Sequence, residues 1–581
     1  MHVARVVGRY KTKSGEQREY VSHLLRRTFR AEGKVKHETL ANLSPLPAAA
    51  IEAVRASLAG KTLLVAGADV EVTRSLPHGH VAAVLAHAHA LGLPALLGPA
   101  GRQRDLMLAL VVARVCRPGS KLATTRWWAD TTLAADLGIA EAGTDEVYAA
   151  MDALAAQQDR IETALATRHL TGTANPGRLA LFDLSSSWVT GSDCPLAARG
   201  YSRDGNKALP QIEYGLLTDP AGRPVAIRVF PGNTADPTAF AHIATQVRER
   251  FGLRELVMVG DRGMITKARI GQLRELGGFG WVTALRAPDI AALAADDGPL
   301  QMSLFDQTNL AEIAHPEFPG ERLIACRNPA LATERARKRL ALLEATDTEL
   351  SKIATAVAAG RLEGAGKIGI RVGKVIGRYK MAKHYTLAIT ERAFTFTHNQ
   401  AAIDTEAALD GVYVIRTSVA AEQMNADTIV RTYKSLAAVE RDFRSLKSID
   451  LDLRPIHHYT ETRVRAHVFI CMLAAYLVWH LRQAWQPLTF TDQHRPDPTD
   501  PVAPARRSPA ADRKAATKTT TDGLTARSFT DLLEHLATLT RNTLRITGDD
   551  TAAEFDLLAV PTPTQRRAFE LLGAAVPLHL Q

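Results

Sequence analysis

Two aspartates stand at the ends of apolar runs: Asp183 closes Leu179-Ala-Leu-Phe-Asp183, and Asp261 closes Glu255-Leu-Val-Met-Val-Gly-Asp261. Short apolar runs bounded by turn residues predict strands, and ligand sites in α/β sheets form where strands end. Two such strands side by side bring their carboxylates together. Gly260 and Gly263 flank the second one and leave room for a ligand. A third acid, Glu440, lies in Tyr433-Lys-Ser-Leu-Ala-Ala-Val-Glu440-Arg-Asp-Phe-Arg-Ser-Leu-Lys447. Tyr433, Glu440 and Lys447 recur every seven residues, two helical turns, so they share a stripe. Leu436, Val439, Phe443 and Leu446 form an adjoining apolar face that seats the helix on a sheet. Three carboxylates gathered in this way are hard oxygen donors, suited to an ion such as Mg²⁺. The plainer readings are a turn-capping role for each aspartate and, for Glu440, a solvated residue paired with Arg441 or Arg444.

The elements that must position these acids follow from periodicity. Residues 1–45 alternate like a β-hairpin, with Val3 to Val7 and Glu19 to Val21 flanking the turn-like Lys13-Ser14-Gly15-Glu16. Residues 46–175 repeat Ala and Leu at helical spacing, broken at Gly92-Leu-Pro, Arg117-Pro-Gly and Ala174-Asn-Pro, and predict a helical domain that binds DNA, dimerises or simply packs. From 176 to 290 the texture is α/β: three strands with tight connections, then helix, strand, helix, strand. Residues 291–405 interrupt it with a charged helix over Thr333 to Ala359 and a hairpin over Tyr385 to Thr397. Between Gly364 and Lys383 stand Lys367, Arg371, Lys374, Arg378, Lys380 and Lys383 and no acid, a stretch suited either to phosphate contact or to solvent. Residues 406–485 resume the α/β pattern and carry Glu440. Residues 486–523, rich in Pro, Thr, Asp and Arg, predict a flexible linker, and 524–581 a helical C-terminal segment.

The chain has 581 residues, 46% of them hydrophobic, and Lys+Arg 71 against Asp+Glu 61, a formal charge of +10. That length predicts several domains and a large core. The composition excludes a disordered or fibrous chain, and the charge suits a polyanionic partner. Cys116, Cys194, Cys326 and Cys471 lie far apart with no C-x-x-C pair, so neither a disulfide framework nor a zinc knuckle is expected and a reducing cytosol fits. The first residues contain no apolar signal segment, and the longest apolar run, Val468 to Trp479, is short for a bilayer, so it predicts a buried helix and no membrane partner.

The ordered set Phe-Asp183, Gly-Asp261-Arg-Gly and Tyr433-x2-Leu436-x3-Glu440-x6-Lys447 resembles the DDE transposases of bacterial insertion sequences, in particular the group with a Tyr-x2-Arg-x3-Glu-x6-Lys signature. Further phrases are similar to stretches typical of that group: Thr39 to Leu43, Arg117-Pro-Gly-Ser-Lys121, Tyr201-Ser-Arg-Asp-Gly-Asn-Lys207, Val229 to Asp236 and Asp410 to Thr417. The resemblance spans most of Met1 to Trp485. One position departs: Leu436 stands where the group has Arg, so that contact is missing or comes from Arg431 or Lys434. The resemblance implies an α/β, RNase H-like catalytic domain interrupted by a mixed insertion domain, with a helical N-terminal region before it. It implies Asp183, Asp261 and Glu440 as catalytic residues holding two Mg²⁺ ions, with Mn²⁺ able to substitute, and Tyr433, Lys447, Arg444, Lys367, Arg371 and Lys374 as DNA-binding residues. The partners implied are double-stranded DNA, as terminal inverted repeats and as target, and a second copy in a homodimer. The expected location is cytoplasmic, on the nucleoid when bound to DNA. A second reading is a domesticated DNA-binding protein that has lost catalysis, although such chains commonly lose one of the three acids. A resolvase-like nuclease on the same fold fits the Tyr433 and Lys447 spacing less well. A serine or tyrosine recombinase lacks its arginine constellation around Ser185 to Ser187.

Overall fold

The computed structural model describes residues 1–61, 70–171, 175, 178–206, 208–295, 298–546 and 554–580. Lys207, and the expected break at Ala174 and Pro176, lie outside these residues. The chain forms two compact units, Met1–Leu76 with Thr540–Ala559, and Pro77–Leu539 with Val560–Gln581.

In the first unit β1 (His2–Lys11), β2 (Gln17–Ala31) and β3 (Lys34–Asn42) make an antiparallel sheet. The expected hairpin is its first turn, with Val7 opposite Val21 and Lys11 opposite Gln17. The third strand follows a two-residue reversal in which Glu32 and Gly33 both take positive φ, 54° and 76°, the backbone that such tight hairpins need. Helix α1 (Ala48–Leu58) follows, and β4 (Val70–Pro77) joins a second sheet of order β16-β15-β4. Its other strands, β15 (Thr540–Ile546) and β16 (Glu554–Leu558), come from the C-terminal region. The expected all-helical character of 46–175 and 524–581 is corrected accordingly: alternating Thr, Arg, Leu and Ile residues there pair as strands.

The second unit begins with helices α2 (Gly79–Ala90), α3 (Leu93–Leu97), α4 (Arg102–Cys116), α5 (Lys121–Ala129), α6 (Thr132–Asp136), α7 (Thr144–Ala156) and α8 (Gln158–Leu170). The α/β stretch then runs β5 (Leu179–Trp188), β6 (Gln211–Thr218), β7 (Pro224–Pro231), α9 (Asp236–Glu249), β8 (Leu256–Val259), α10 (Lys267–Leu276) and β9 (Phe279–Ala284), the order anticipated from the sequence. After α11 (Ala287–Leu293) come β10 (Leu310–Ile313) and β11 (Arg322–Arg327), then α12 (Pro329–Ala358), α13 (Ala365–Tyr379), the hairpin β12 (Tyr385–Ile389) and β13 (Phe394–His398), α14 (Gln400–Ala408) and β14 (Val412–Thr417). One mixed sheet unites most of these strands in the order β10-β11-β14-β9-β8-β5-β6-β7. β5, β6 and β7 are antiparallel neighbours, whereas β8 runs parallel to both β5 and β9. Because β10 and β11 pair into this sheet, the interruption is narrower than 291–405. Residues 329–408 have their own apolar cluster, including Leu350, Ile353, Ile368, Val372 and Tyr385.

Helices α15 (Ala426–Lys434), α16 (Leu436–Arg444), α17 (Glu461–Ala484), α18 (Pro509–Thr517), α19 (Phe529–Ala537) and α20 (Pro563–Leu571) complete the unit. Every residue of β6 is buried. α17 packs against α4, α7 and β7. It contains the run expected as a buried helix and, at 24 residues, has the length and apolarity to cross a membrane, but 83% of its apolar window is buried in the protein. It is a core helix. The expected linker 486–523 is packed, with Leu488 and Val502 fully buried and Lys514 donating to the carbonyls of Thr489 and Thr491. Its composition is polar because its anchors are hydrogen bonds. All four cysteines are free.

The helices before β5 are tied to the sheet by a buried acid. Glu162 of α8 is fully buried, accepts hydrogen bonds from Gln158 (2.8 Å) and the Ile227 amide of β7 (3.0 Å), and pairs with Arg228. Breaking such a pair from one side strands the other charge and costs about 3–5 kcal/mol. Glu162→Ala is therefore expected to lower the thermal unfolding midpoint clearly, and Glu162→Gln much less. Equal midpoints for wild type and the alanine variant would refute this anchor.

Candidate active site

β5 and β8 pair in parallel register, with Leu179 opposite Val257, Ala180 opposite Met258 and Leu181 opposite Val259. Asp183 follows two residues later within β5, and Asp261 two residues later just past the end of β8, so the register brings the two acids to neighbouring positions. Asp183 does not end its strand as expected. β5 continues to Trp188 because Ser185, Ser186 and Ser187 stay paired with β6, and the buried Ser187 hydroxyl meets Tyr214 Oη at 2.9 Å. What ends beside Asp183 is β8, which opens the sheet there.

The chain turns sharply after β8. Asp261 Oδ1 accepts from the amides of Gly263 (2.8 Å) and Met264 (2.9 Å), a local turn held by the carboxylate itself. A Cβ on Gly263 would sit 3.2 Å from that same oxygen, so glycine keeps the acid uncovered. Asp261 remains exposed. The turn-capping reading and the site reading thus hold together at this residue, since Oδ2 is left for another partner.

Glu440 arrives from α16, which packs on β5. Val439 is fully buried, and the Phe443 ring meets Tyr214 of β6 at 5.8 Å. That apolar seat leaves Glu440 exposed on the side where its charge is felt by Asp183. The anticipated single helix is divided at Ser435, whose hydroxyl donates to the Thr432 carbonyl at 2.6 Å, and it ends in a π-turn over Ser445–Ile449. Tyr433, at the end of α15, lies within reach of all three acids: burial first, then Asp261, Glu440 and Asp183, push its hydroxyl up to about 12, against the pull of Arg262. Asp183 itself is pushed up to about 7, mostly by burial and further by Asp261 and Glu440, while the Leu184 amide (2.8 Å) and Arg203 oppose the rise. The structure therefore brings Asp183, Asp261, Glu440 and Tyr433 together.

The other expected contacts separate. Lys447 is buried and donates to Asp204 at 2.6 Å, and Arg454 reaches the same carboxylate at 2.7 Å. Arg444 is exposed on α16. Lys367, Arg371 and Lys374 lie exposed along α13, whose opposite face buries Ile368, Val372 and Ile376. Neither proposed substitute for the arginine at position 436 is free. Arg431 donates to the Pro498 carbonyl, and Lys434 to those of Pro501, Val502 and Ala503. Sequence reasoning overlooked Arg203, Asp204 and Arg454. The phrase Tyr201 to Asn206 marked two of them, but nothing in their spacing announced partners more than two hundred residues away.

Three carboxylates are a donor set that fits hard divalent cations, and their mutual repulsion is what such ions relieve. Among the described residues no three acids, histidines or cysteines are drawn into a ready chelate. Burial first, and the neighbouring acids after it, raise Asp183, and that rise has a pH signature. A carboxyl whose folded pKa is raised contributes stability that is complete below its unfolded value, near 4, and is lost as pH rises through the folded value, about 7. In chelator, Asp183→Asn should therefore unfold at higher denaturant than wild type at pH 8, by about 1–4 kcal/mol, and the gap should close toward pH 4. A gap independent of pH would show that the fold does not raise Asp183.

Comparison with known proteins gives three findings. Residues 180–477 match the family described as Transposase DDE domain, and residues 9–66 match the IS1634 family transposase N-terminal domain. No curated protein matches the chain. A solved structure, the cryo-EM structure of piggyBac transposase synaptic complex with hairpin DNA, is similar at 8% identity and TM-score 0.33, over 69% of this chain and 72% of that one. The first match takes in half of the sequence and all of Asp183, Asp261, Tyr433 and Glu440, and on that ground the chain belongs to the DDE transposases of insertion sequences.

Proposed function

We propose that the chain binds the terminal inverted repeats of its element as double-stranded DNA and catalyses metal-dependent strand cleavage and strand transfer, with Asp183, Asp261 and Glu440 as the catalytic triad. The observation that carries this reading is the electrostatic convergence of the three acids, from two parallel strands and one helix, around a half-buried Asp183. The strand order, three antiparallel strands followed by two parallel ones with helices between, supports an RNase H-like core, and residues 329–408 are its inserted part.

In this reading the triad holds two divalent cations, Mg²⁺ by preference and Mn²⁺ as a substitute. When bound, such a pair activates an attacking oxygen and stabilises a leaving one. The chain's own residues bind and orient the DNA. Tyr433, held beside the three acids by α15, presents its hydroxyl to a phosphate near the scissile one. Its high pKa keeps it protonated and a donor. Lys447 serves the same strand once it shares or leaves Asp204, and the exposed Arg444 extends the contact. The stripe of Lys367, Arg371 and Lys374 lies against the sugar-phosphate backbone and supplies affinity without reading sequence. A homodimer would hold two ends at once. The retention of all three acids favours this enzyme over a domesticated DNA-binding protein.

Cleavage of a terminal-repeat duplex should need Mg²⁺ or Mn²⁺ and should fall more than about 100-fold in Asp183→Asn, since even residues that only support metal ligands are worth 10–100-fold. Undiminished cleavage in the variant would reject the triad. Alanine at Lys367, Arg371 and Lys374 together should weaken binding to all duplexes alike and reduce the slope of log K against log salt by about 2–3. An unchanged slope would remove α13 from the interface.

A further inference from the structure

The phrase Arg117-Pro-Gly-Ser-Lys121 has no part in the site described so far, yet it walls a cavity of about 380 Å³. Arg114 of α4, Lys121 of α5, Arg454, His458 and His467 line it, and Asp452 is its one acidic residue. Arg114 and Lys121 are each only 4% exposed. Arg114 gives two of its five N–H donors to the carbonyls of Gly119 (2.8 Å) and Leu451 (3.4 Å). Among the described residues the Lys121 ammonium has the His467 ring as its one hydrogen-bond partner, at 3.4 Å, and that ring's other nitrogen faces the Leu453 carbonyl at 3.1 Å. Among the described residues neither cation has a carboxylate within ion-pair distance. Burying two like charges without a counterion is strongly unfavourable, and burial, with Arg114 beside it, pushes the Lys121 ammonium down to about 7, so an anion in the cavity would restore its charge and bind favourably. The backbone adds to the field. Lys121 opens α5, whose cap is Ser120, so the positive end of the helix points toward the same space.

The cavity also connects with the triad's surroundings. Arg454 lies over the Trp188 ring at 4.9 Å and pairs with Asp204, which also holds Lys447. Trp188 ends the strand on which Asp183 sits. A chain of cations thus runs from Lys121 and Arg114 through Arg454 to Lys447, beside β5.

We propose that this cavity is a phosphate-binding site that takes a backbone phosphate of the DNA, with Lys121 and Arg114 as its principal ligands and Arg454 joining it to the catalytic end of β5. The ligand's identity rests on the reading of the chain as a DNA-acting enzyme, whereas the phosphate chemistry rests on the cavity. One phosphodiester supplies a single negative charge between the two buried groups and has oxygens enough to accept from both.

The test uses the full-length protein in chelator, so that it measures binding without cleavage. Lys121→Met should bind a terminal-repeat duplex about 10- to 100-fold more weakly than wild type, with a salt slope smaller by about 1, while its thermal midpoint stays equal or rises because an unpaired buried charge is gone. Lys121→Arg should restore most of the affinity. Wild-type affinity and slope in a folded Lys121→Met protein would overturn the proposal, even with DNA binding itself intact. Failure of the wild-type protein to bind DNA would overturn the wider reading and this ligand with it. Inorganic phosphate provides the third arm: stabilisation of wild type but not of Lys121→Met, without any effect of the substitution on DNA affinity, would assign the cavity to free phosphate instead. If Lys121→Met does not fold, Arg114→Lys, which keeps the charge and loses the forked donor, is measured in the same way and should still weaken DNA binding.

Discussion

Like charges gathered in a partly buried place repel, and this fold forces them together. The register of β5 with β8 brings Asp183 and Asp261 to neighbouring positions. The amides of Gly263 and Met264 hold the second carboxylate in place, and the apolar seat of α16 on Tyr214 brings Glu440 over them. The amides ease the charge on Asp261 but leave it facing the other acids. The seat of α16 outweighs what repulsion remains, since burying Val439 and Phe443 is worth a few kcal/mol by area alone. The rise of Asp183 toward neutrality comes first from its burial and then from that conflict, and a bound cation would ease both.

The same logic governs the cations around the triad, where nearly every candidate for a phosphate contact is engaged by the protein itself. Asp204 draws Lys447 and Arg454 inward, Glu213 takes Arg203, and the carbonyls of residues 498–503 take Arg431 and Lys434. A positive charge near the Glu440 helix is therefore no guarantee of a free one. Arg444 and the α13 stripe are exposed, whereas the sequestered charges would have to exchange partners before meeting any anionic ligand.

Much of this was legible in the chain. Apolar runs ending near acids gave the strands of β5 and β8, and a seven-residue spacing picked out Tyr433 and Glu440. The order of strands and helices from 179 to 285 followed from periodicity. What stayed hidden depends on long-range pairing or on unfavourable local composition. β4, β15 and β16 are short and polar, and they form a sheet only because residues some 470 apart meet. α13 contains Gly366, Gly369, Gly373 and Gly377, each a poor helix former, and exists because Ile368, Val372 and Ile376 bury one face against α12. The polar segment 486–523 resembled a linker because its order comes from the buried Lys514 ammonium and from carbonyls given to Arg431 and Lys434. The break at Ser435 and the π-turn that carries Lys447 off toward Asp204 are likewise matters of tertiary context.

Two sites of opposite sign therefore flank one strand, and each is a liability to the folded protein on its own. Near the middle of β5, carboxylates stand unrelieved at Asp183; near its end, through Trp188 and Arg454, the chain reaches ammonium and guanidinium groups that lack a counterion. The two clusters do not neutralise each other, because the strand and its neighbours hold them apart. Ligands of complementary charge would relieve both: cations for the acids, and a polyanion running past them for the buried bases. A nucleic-acid backbone attended by divalent ions carries both kinds of charge at once. On the proposed function, stability given up at two places along a single strand would be recovered in one binding event, and the cationic cavity would belong to the same substrate track rather than being an independent defect of packing.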